Sequence, residues 1–224
     1  MEDHTRISTT IGGSDERKTL RVRVVFEERS GHPVKDETMT LLFGTQMLLG
    51  RDEVCEIPIK DNRISRKHVL IRIEPDGVRL ADLGSTNGTT RNDEPVTEEI
   101  ILNNRDRITV GRAVTFEVRL VEREGQICSA RLASGPSAFL LAPSEVLIGR
   151  SDPKNLTCDL MIYDSELELR HARIDHFYDN TFIMSLVPEK PVLVNNKPVK
   201  ELEIHPDYTI TLGKTRLRWE VIPS

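Results

Sequence analysis

The chain repeats itself, and the repeat limits the possible folds more than any single residue does. Leu48-Leu49-Gly50-Arg51 returns as Leu147-Ile148-Gly149-Arg150, and Arg66-Lys67-His68-Val69-Leu70-Ile71 returns as Leu169-Arg170-His171-Ala172-Arg173-Ile174. Cys55-Glu56-Ile57 is matched by Cys158-Asp159-Leu160, four residues later relative to its arginine. His68 and Asn92 are 24 residues apart, as are His171 and Asn195, and the stretch Asp106 to Gly111 is answered by Asp207 to Gly213. A fixed internal period sets the number of units better than length does. The 224 residues therefore read as two copies of one domain, 20–122 and 127–224, joined near Glu122-Arg123-Glu124-Gly125-Gln126.

Within the first copy, the runs Leu20 to Phe26, His68 to Ile73, Val78 to Asp82, Arg107 to Val110 and Val114 to Val121 alternate apolar and polar residues with period two. Turn-forming clusters such as Pro75-Asp76-Gly77, Asn92-Asp93-Glu94-Pro95 and Asn103-Asn104-Arg105-Asp106 separate them. No dozen-residue run carries apolar residues at helical spacing. The pattern predicts an all-β chain of two antiparallel sandwiches. Residues 1–19 have almost no apolar content and read as a disordered tail.

Charge excludes one class of partner. Lys and Arg total 31 against 36 Asp and Glu, for a net charge of -5, and no region forms a basic arm or stripe for nucleic acid. Three cysteines, Cys55, Cys128 and Cys158, form no Cys-x-x-Cys and cannot all pair, which argues against a disulfide framework and a zinc site. The amino terminus lacks a basic patch followed by an apolar run, and no stretch has the roughly 18 uncharged apolar residues of a membrane span. We expect a cytoplasmic protein with no membrane partner, no metal and no cofactor.

Three polar clusters fall between strands: Gly50-Arg51, Ser65-Arg66-Lys67-His68, and Asp82 through Ser85-Thr86-Asn87-Gly88-Thr89. A guanidinium presents a fork of donors matching a phosphate, two hydroxyls on separate loops each add a bond, and glycine lets backbone approach backbone. An asparagine amide both donates to and accepts from a ligand's main chain. Together the clusters describe an anion pocket.

With these residues in place the chain resembles the forkhead-associated (FHA) family. Gly50-Arg51, Ser65-x-x-His68 and Ser85-x-Asn87-Gly88-Thr89 followed by Asn92 match its motifs over about residues 20–122, and 127–224 matches in weaker form. The resemblance implies sandwiches of about eleven strands whose loops at one end bind phosphothreonine peptides. It implies that Arg51, Ser65 and Thr86 contact the phosphate, that Arg66 reaches the phosphate or an acidic residue after it, and that Asn87 holds the peptide backbone. Gly50, His68, Ser85, Gly88 and Asn92 would order the loops. Asp93 departs from the pattern, because glycine usually follows that asparagine.

Catalysis finds little support. Ser65 three residues before His68 is the nearest approach to a nucleophile and its base, but there is no Gly-x-Ser-x-Gly elbow and no evident carboxylate to orient the histidine. Arg63, Arg66 and Lys67 border the pocket and would favour acidic residues flanking the phosphothreonine.

The second copy differs where it matters. Arg150 persists, but Ser65, Thr86, Asn87 and Gly88 are replaced by Glu168, Glu189, Lys190 and Pro191. Two carboxylates where a phosphate would sit repel it, so this copy is expected not to bind phosphate, with Arg150 pairing internally with Glu168 or Glu189. In the tail, Thr5, Thr9 and Thr10 are candidate phosphorylation sites; a tethered phosphothreonine would meet the pocket at about millimolar effective concentration and allow self-association. The expected function is a tandem adaptor that captures partners threonine-phosphorylated by a Ser/Thr kinase. The competing expectation is a phosphate-independent scaffold component, for example of a secretion apparatus.

Overall fold

The computed structural model describes residues 20–29, 31–135, 137–152, 157–178 and 180–222; the tail, with Thr5, Thr9 and Thr10, lies outside them. The period-two runs are strands. The first copy contributes β1 (Leu20–Arg29), β2 (His32–Phe43), β3 (Gln46–Gly50), β4 (Ile57–Pro58), β5 (Val69–Glu74), β6 (Gly77–Asp82), β7 (Thr89–Arg91), β8 (Glu94–Pro95), β9 (Ile100–Leu102), β10 (Arg107–Val110) and β11 (Val114–Arg123). The second contributes β12 (Gln126–Ser134), β13 (Ser137–Ala142), β14 (Glu145–Arg150), β15 (Leu160–Ile162), β16 (Ala172–Phe177), β17 (Asn180–Ser185), β18 (Val192–Val194), β19 (Lys197–Val199), β20 (Glu201–Glu203), β21 (Thr209–Leu212) and β22 (Thr215–Val221). Among the described residues there is no helix, and so none long and apolar enough to cross a membrane.

Each copy builds its own five-stranded sheet, β4-β3-β5-β6-β9 and β15-β14-β16-β17-β20. The facing layers are fused into one 12-stranded sheet in the order β19-β18-β21-β22-β1-β2-β13-β12-β11-β10-β7-β8. That order is not two copies side by side. By the repeat, β1 corresponds to β12 and β11 to β22, yet β1 pairs with β22 and β12 pairs with β11. The opening hairpin of each copy completes the sandwich of the other.

The cause is local. The stretch expected to join two domains is a hairpin turn: Arg123 pairs with Gln126, and Glu124 and Gly125 have φ of 54° and 76°. Two residues with positive φ make the tight turn whose twist suits antiparallel strands, so β12 must return along β11. The place beside β11 is then taken, and β1 lies beside β22 instead. Segments 20–122 and 127–224 each hold the loops and most strands of one sandwich, but their opening hairpins are exchanged.

Two cores result. The first holds Met47, Leu49, Ile57, Val69, Ile71, Leu80, Ile108 and Phe116, joined by Ala130, Leu132 and Leu141 from the second copy. The second holds Ile148, Ile162, Ile174, Ile183, Leu212 and Trp219, joined by Val22, Val24, Phe26, Met39, Leu41 and Phe43 from the first. Burying a large apolar side chain is worth about 1.5–3 kcal/mol, so six of them are comparable with the net stability of a whole domain. β2 and β13 run parallel at the junction, with Leu41 opposite Leu140 and Leu42 opposite Leu141. Successive side chains point to opposite faces, and there is a core on each face: Leu41 enters the second and Leu42 the first. Leu41, Leu42 and Phe43 are accordingly all buried.

Candidate functional site

The loops following β3, preceding β5 and following β6 meet at one end of the first sandwich. Gly50 makes the first join: a Cβ there would lie 2.1 Å from the Arg66 carbonyl oxygen. Its absence lets the Arg51 N–H donate to the Ser65 carbonyl at 2.9 Å and the Asp52 N–H to that of Arg66 at 3.1 Å. The second join is Ser65, whose Oγ accepts the Thr86 N–H at 3.1 Å and lies 3.5 Å from Thr86 Oγ1. The third is Asn87, whose Nδ2 donates to the Arg63 carbonyl at 2.7 Å. Arg51, Ser65, Thr86 and Asn87 are thus brought together. The Arg51 guanidinium is exposed and rests on Asn62 Oδ1 at 3.1 Å; Arg66 and Lys67 are exposed beside it.

Beneath this surface His68 is fully buried. The Ser65 N–H donates to its Nδ1 at 3.0 Å, so Nε2 carries the proton and faces the Gly88 carbonyl at 3.2 Å. That carbonyl also accepts the Gly111 N–H at 2.9 Å. The ring is thus held by the backbone of Ser65 and Gly88, with the Asp82 carboxylate near it, its Oδ2 3.6 Å from Nε2. The sequence reading places Asp82 in the third polar cluster without assigning it to the histidine. Ser65 Oγ turns to Thr86 rather than to His68, so the pair is not arranged as nucleophile and base.

Asp82 is a hub that the sequence did not reveal. It accepts Ser85 N–H at 2.7 Å, Ser85 Oγ at 2.7 Å and Thr89 Oγ1 at 2.6 Å, while Ser85 Oγ in turn accepts the Gly88 N–H at 3.0 Å. Burial opposes its charge, but the bonds from Thr89 and Ser85 and the nearby His68 outweigh that and hold its carboxyl below the ordinary value.

Arg63 was expected to border the pocket and favour acidic residues in the ligand. Instead it lies bidentate on Asp61, at 3.0 and 2.7 Å, and donates to the Arg112 carbonyl at 2.8 Å. The hydrogen bond from Arg63 lowers the Asp61 carboxyl to about 2. Asn92 and Asp93, with φ of 51° and 72°, form the turn between β7 and β8. Asp93 tolerates the left-handed conformation that glycine more often supplies. Asn92 also donates to Asp106 at 2.8 Å and accepts the Arg107 N–H at 2.9 Å.

The second copy keeps the scaffold and carries Glu168, Glu189 and Lys190 at the positions of Ser65, Thr86 and Asn87. Gly149 lets backbone approach backbone as Gly50 does, a Cβ there lying 2.0 Å from the Leu169 carbonyl oxygen. Cys55 and Cys158 are both buried, their thiols donating to the Arg66 and Leu169 carbonyls at 3.3 and 2.8 Å. His171 takes the Glu168 N–H at 3.3 Å, but its buried Nε2 has no partner among the described residues. Burial, then the charge of Lys190, pushes its pKa down. The expected Arg150 pairing is corrected: Lys190 takes Glu168 at 2.5 Å, and no ion pair of Arg150 occurs among the described residues. Lys190 occupies the Asn87 position, directly across from Glu168, and reaches it first. A cleft of about 250 Å³ lined by Glu166, Lys190, Pro191, Leu193, Thr211 and Gly213 remains. Among the described residues no group of His, Cys, Asp and Glu is placed to hold a metal.

The two β-sandwiches are those of the FHA domain family, to which the chain belongs: the family's profile matches residues 47–111 and 146–213. FHA domains are protein-interaction modules. Among particular relatives, FhaA of Mycobacterium tuberculosis is 43% identical over 51 residues, which is 23% of this chain and 10% of that protein. The glycogen accumulation regulator GarA of the same organism is 36% identical over 63 residues, 28% of this chain and 38% of GarA. The matches therefore span well under two thirds of either relative. An FHA domain solved in work on phosphothreonine-dependent FHA domain interactions is 35% identical, covering 41% of this chain and 88% of that one with a TM-score of 0.30.

Proposed function

We propose that the chain is a phosphothreonine-dependent adaptor whose first sandwich captures phosphorylated proteins and whose second does not bind phosphate. The observation that carries this reading is the convergence of Arg51, Ser65, Thr86 and Asn87 from three loops onto one exposed surface. The Arg51 fork and the Ser65 and Thr86 hydroxyls offer donors to a phosphate, and Arg66 and Lys67 add positive charge for the phosphate or an acidic neighbour. Asn87 spends its Nδ2 on Arg63, leaving Oδ1 to accept from the peptide main chain. Unmodified threonine offers this surface almost nothing, whereas phosphorylation adds about -1.5 to -2 charge and three acceptor oxygens, so capture follows a Ser/Thr kinase acting on the partner. In the second copy Glu168 and Glu189 oppose an anion, and Lys190, the cation nearest, is already neutralised. The tail threonines Thr5, Thr9 and Thr10 are proposed as sites whose phosphorylation would compete for the same pocket or link two chains.

Titration of an oriented phosphothreonine peptide library tests the assignment. Wild type should bind at micromolar affinity, the unphosphorylated peptides not at all. Arg51→Ala should lose about 2–4 kcal/mol, roughly 30- to 900-fold in affinity. Unchanged affinity in Arg51→Ala refutes the site.

A further inference from the structure

The exchange of hairpins gives the second sandwich a task that its lost ligand site does not. β1 and β2 place six apolar side chains in the second core, while β12 and β13 place Ala130, Leu132 and Leu141 in the first. Neither core is complete without strands from the other copy. The link also reaches the candidate site by polar contacts. Arg21, on β1, donates to the Cys55 carbonyl at 3.2 Å, and the Cys55 thiol donates at 3.3 Å to the Arg66 carbonyl, within the loop that presents Ser65. From the other side, Arg119 and Arg123 on β11 hold the second copy's loop: Arg119 donates to the Cys158 carbonyl at 3.1 Å, and Arg123 to the Thr157 carbonyl at 3.1 Å and to buried Asp159 at 2.9 Å. Asp159 also accepts from the hydroxyl of Ser129 on β12. The loop behind the candidate site and its equivalent in the second copy are thus each held by a strand of the neighbouring sandwich.

We infer that the second sandwich is the obligate folding partner of the first, so that ligand binding at the first-copy site and folding of the second core form one linked equilibrium. The ligand half of this statement rests on the phosphothreonine reading above; the folding half does not. A ligand that binds only the folded chain stabilises everything that must fold with its site, and in a shared unit that includes a core it never touches.

Hydrogen exchange of the full chain tests this, with the Ile71 amide on β5 marking the first core and the Ile183 amide on β17 the second. A phosphothreonine peptide at about 100 times its dissociation constant should slow both amides by about 100-fold. Slowing of Ile71 alone overturns the inference. A peptide that leaves both unchanged refutes the phosphothreonine reading instead, and the ligand-free arm then decides. In that arm Ile71→Val and Ile183→Val, mild core truncations, should each speed exchange of both marker amides by the same factor, about 2- to 10-fold. Acceleration confined to the core that carries the substitution overturns the inference. The exchange itself is read by cysteines at the facing positions of β1 and β22, Arg23→Cys with Glu220→Cys, whose native side chains lie 3.7 Å apart. Oxidation should close this disulfide within a monomer. A monomer in which the pair stays reduced removes the structural basis of the proposal.

Discussion

A methyl group on Gly50 or on Gly149 would meet a facing carbonyl oxygen at 2.1 or 2.0 Å, and the second copy keeps this glycine although it has lost the ligand residues. Comparing the copies therefore separates two kinds of residue that sequence reading of one copy alone mixes together. Gly50, His68 and Asn92 have counterparts in Gly149, His171 and Asn195 and serve the closure of the loops; Ser65, Thr86 and Asn87 have none, while Arg51 keeps its counterpart in Arg150 and is not sorted by this comparison. The candidate site residues were legible because donors of their chemistry, set on loops between strands, suit an anion. Asp82 was legible only as a member of the third polar cluster; that it gathers the donors of Ser85 and Thr89 depends on the folded path of the loop. Its lowered pKa predicts a pH dependence. A depressed carboxyl stabilises the loops fully above its unfolded value and loses that contribution as pH falls through the folded one. The Gly88 and Thr89 amide resonances should therefore titrate with a midpoint below the ordinary 3.8 for aspartate, and Asp82→Asn should abolish that transition. A midpoint above 3.8 would contradict the hydrogen-bond assignment.

At the level of elements, the strands were legible and their partners were not. Period-two runs and turn clusters locate β5, β6, β10 and β11, and Asn92-Asp93 announces its hairpin. A repeat shows where a copy ends but not which copy a strand joins, because β1 and β12 are equivalent candidates for the same place. Two signals bore on the choice. The apolar triplet Leu41-Leu42-Phe43 breaks the alternation expected of a strand with one wet face, as a strand between two cores must. Glu124-Gly125 is short enough to be a turn, and it reads as a linker only if separate domains are assumed. Gly125 holds φ of 76°, which a β-branched residue adopts at a cost of about 1–3 kcal/mol. Gly125→Val should lower the urea midpoint accordingly with no change in the slope of the transition, whereas Asn196→Gly, in the corresponding kind of turn between β18 and β19, should be neutral or mildly stabilising. Equal effects of the two would show that the turn at 124–125 is not under this constraint.

For the molecule as a whole, the exchange has an optical reporter. Trp219, the chain's one tryptophan, is 1% exposed in the second core and sits opposite Val24 of β1. Phe26→Ala, a change 193 positions away in sequence, should destabilise the fold by about 3–5 kcal/mol and, just below the unfolding transition, open Trp219 to acrylamide quenching. Quenching that matches wild type would place β1 elsewhere. The two-residue turn at Glu124-Gly125 carries a last consequence, for how such a chain changes over generations. A duplicated domain that has lost its binding residues is ordinarily free to decay or be deleted. Here deletion of the second copy would strip the first sandwich of β12 and β13, so changes confined to the second copy's loops cost the chain less than removal of that copy would.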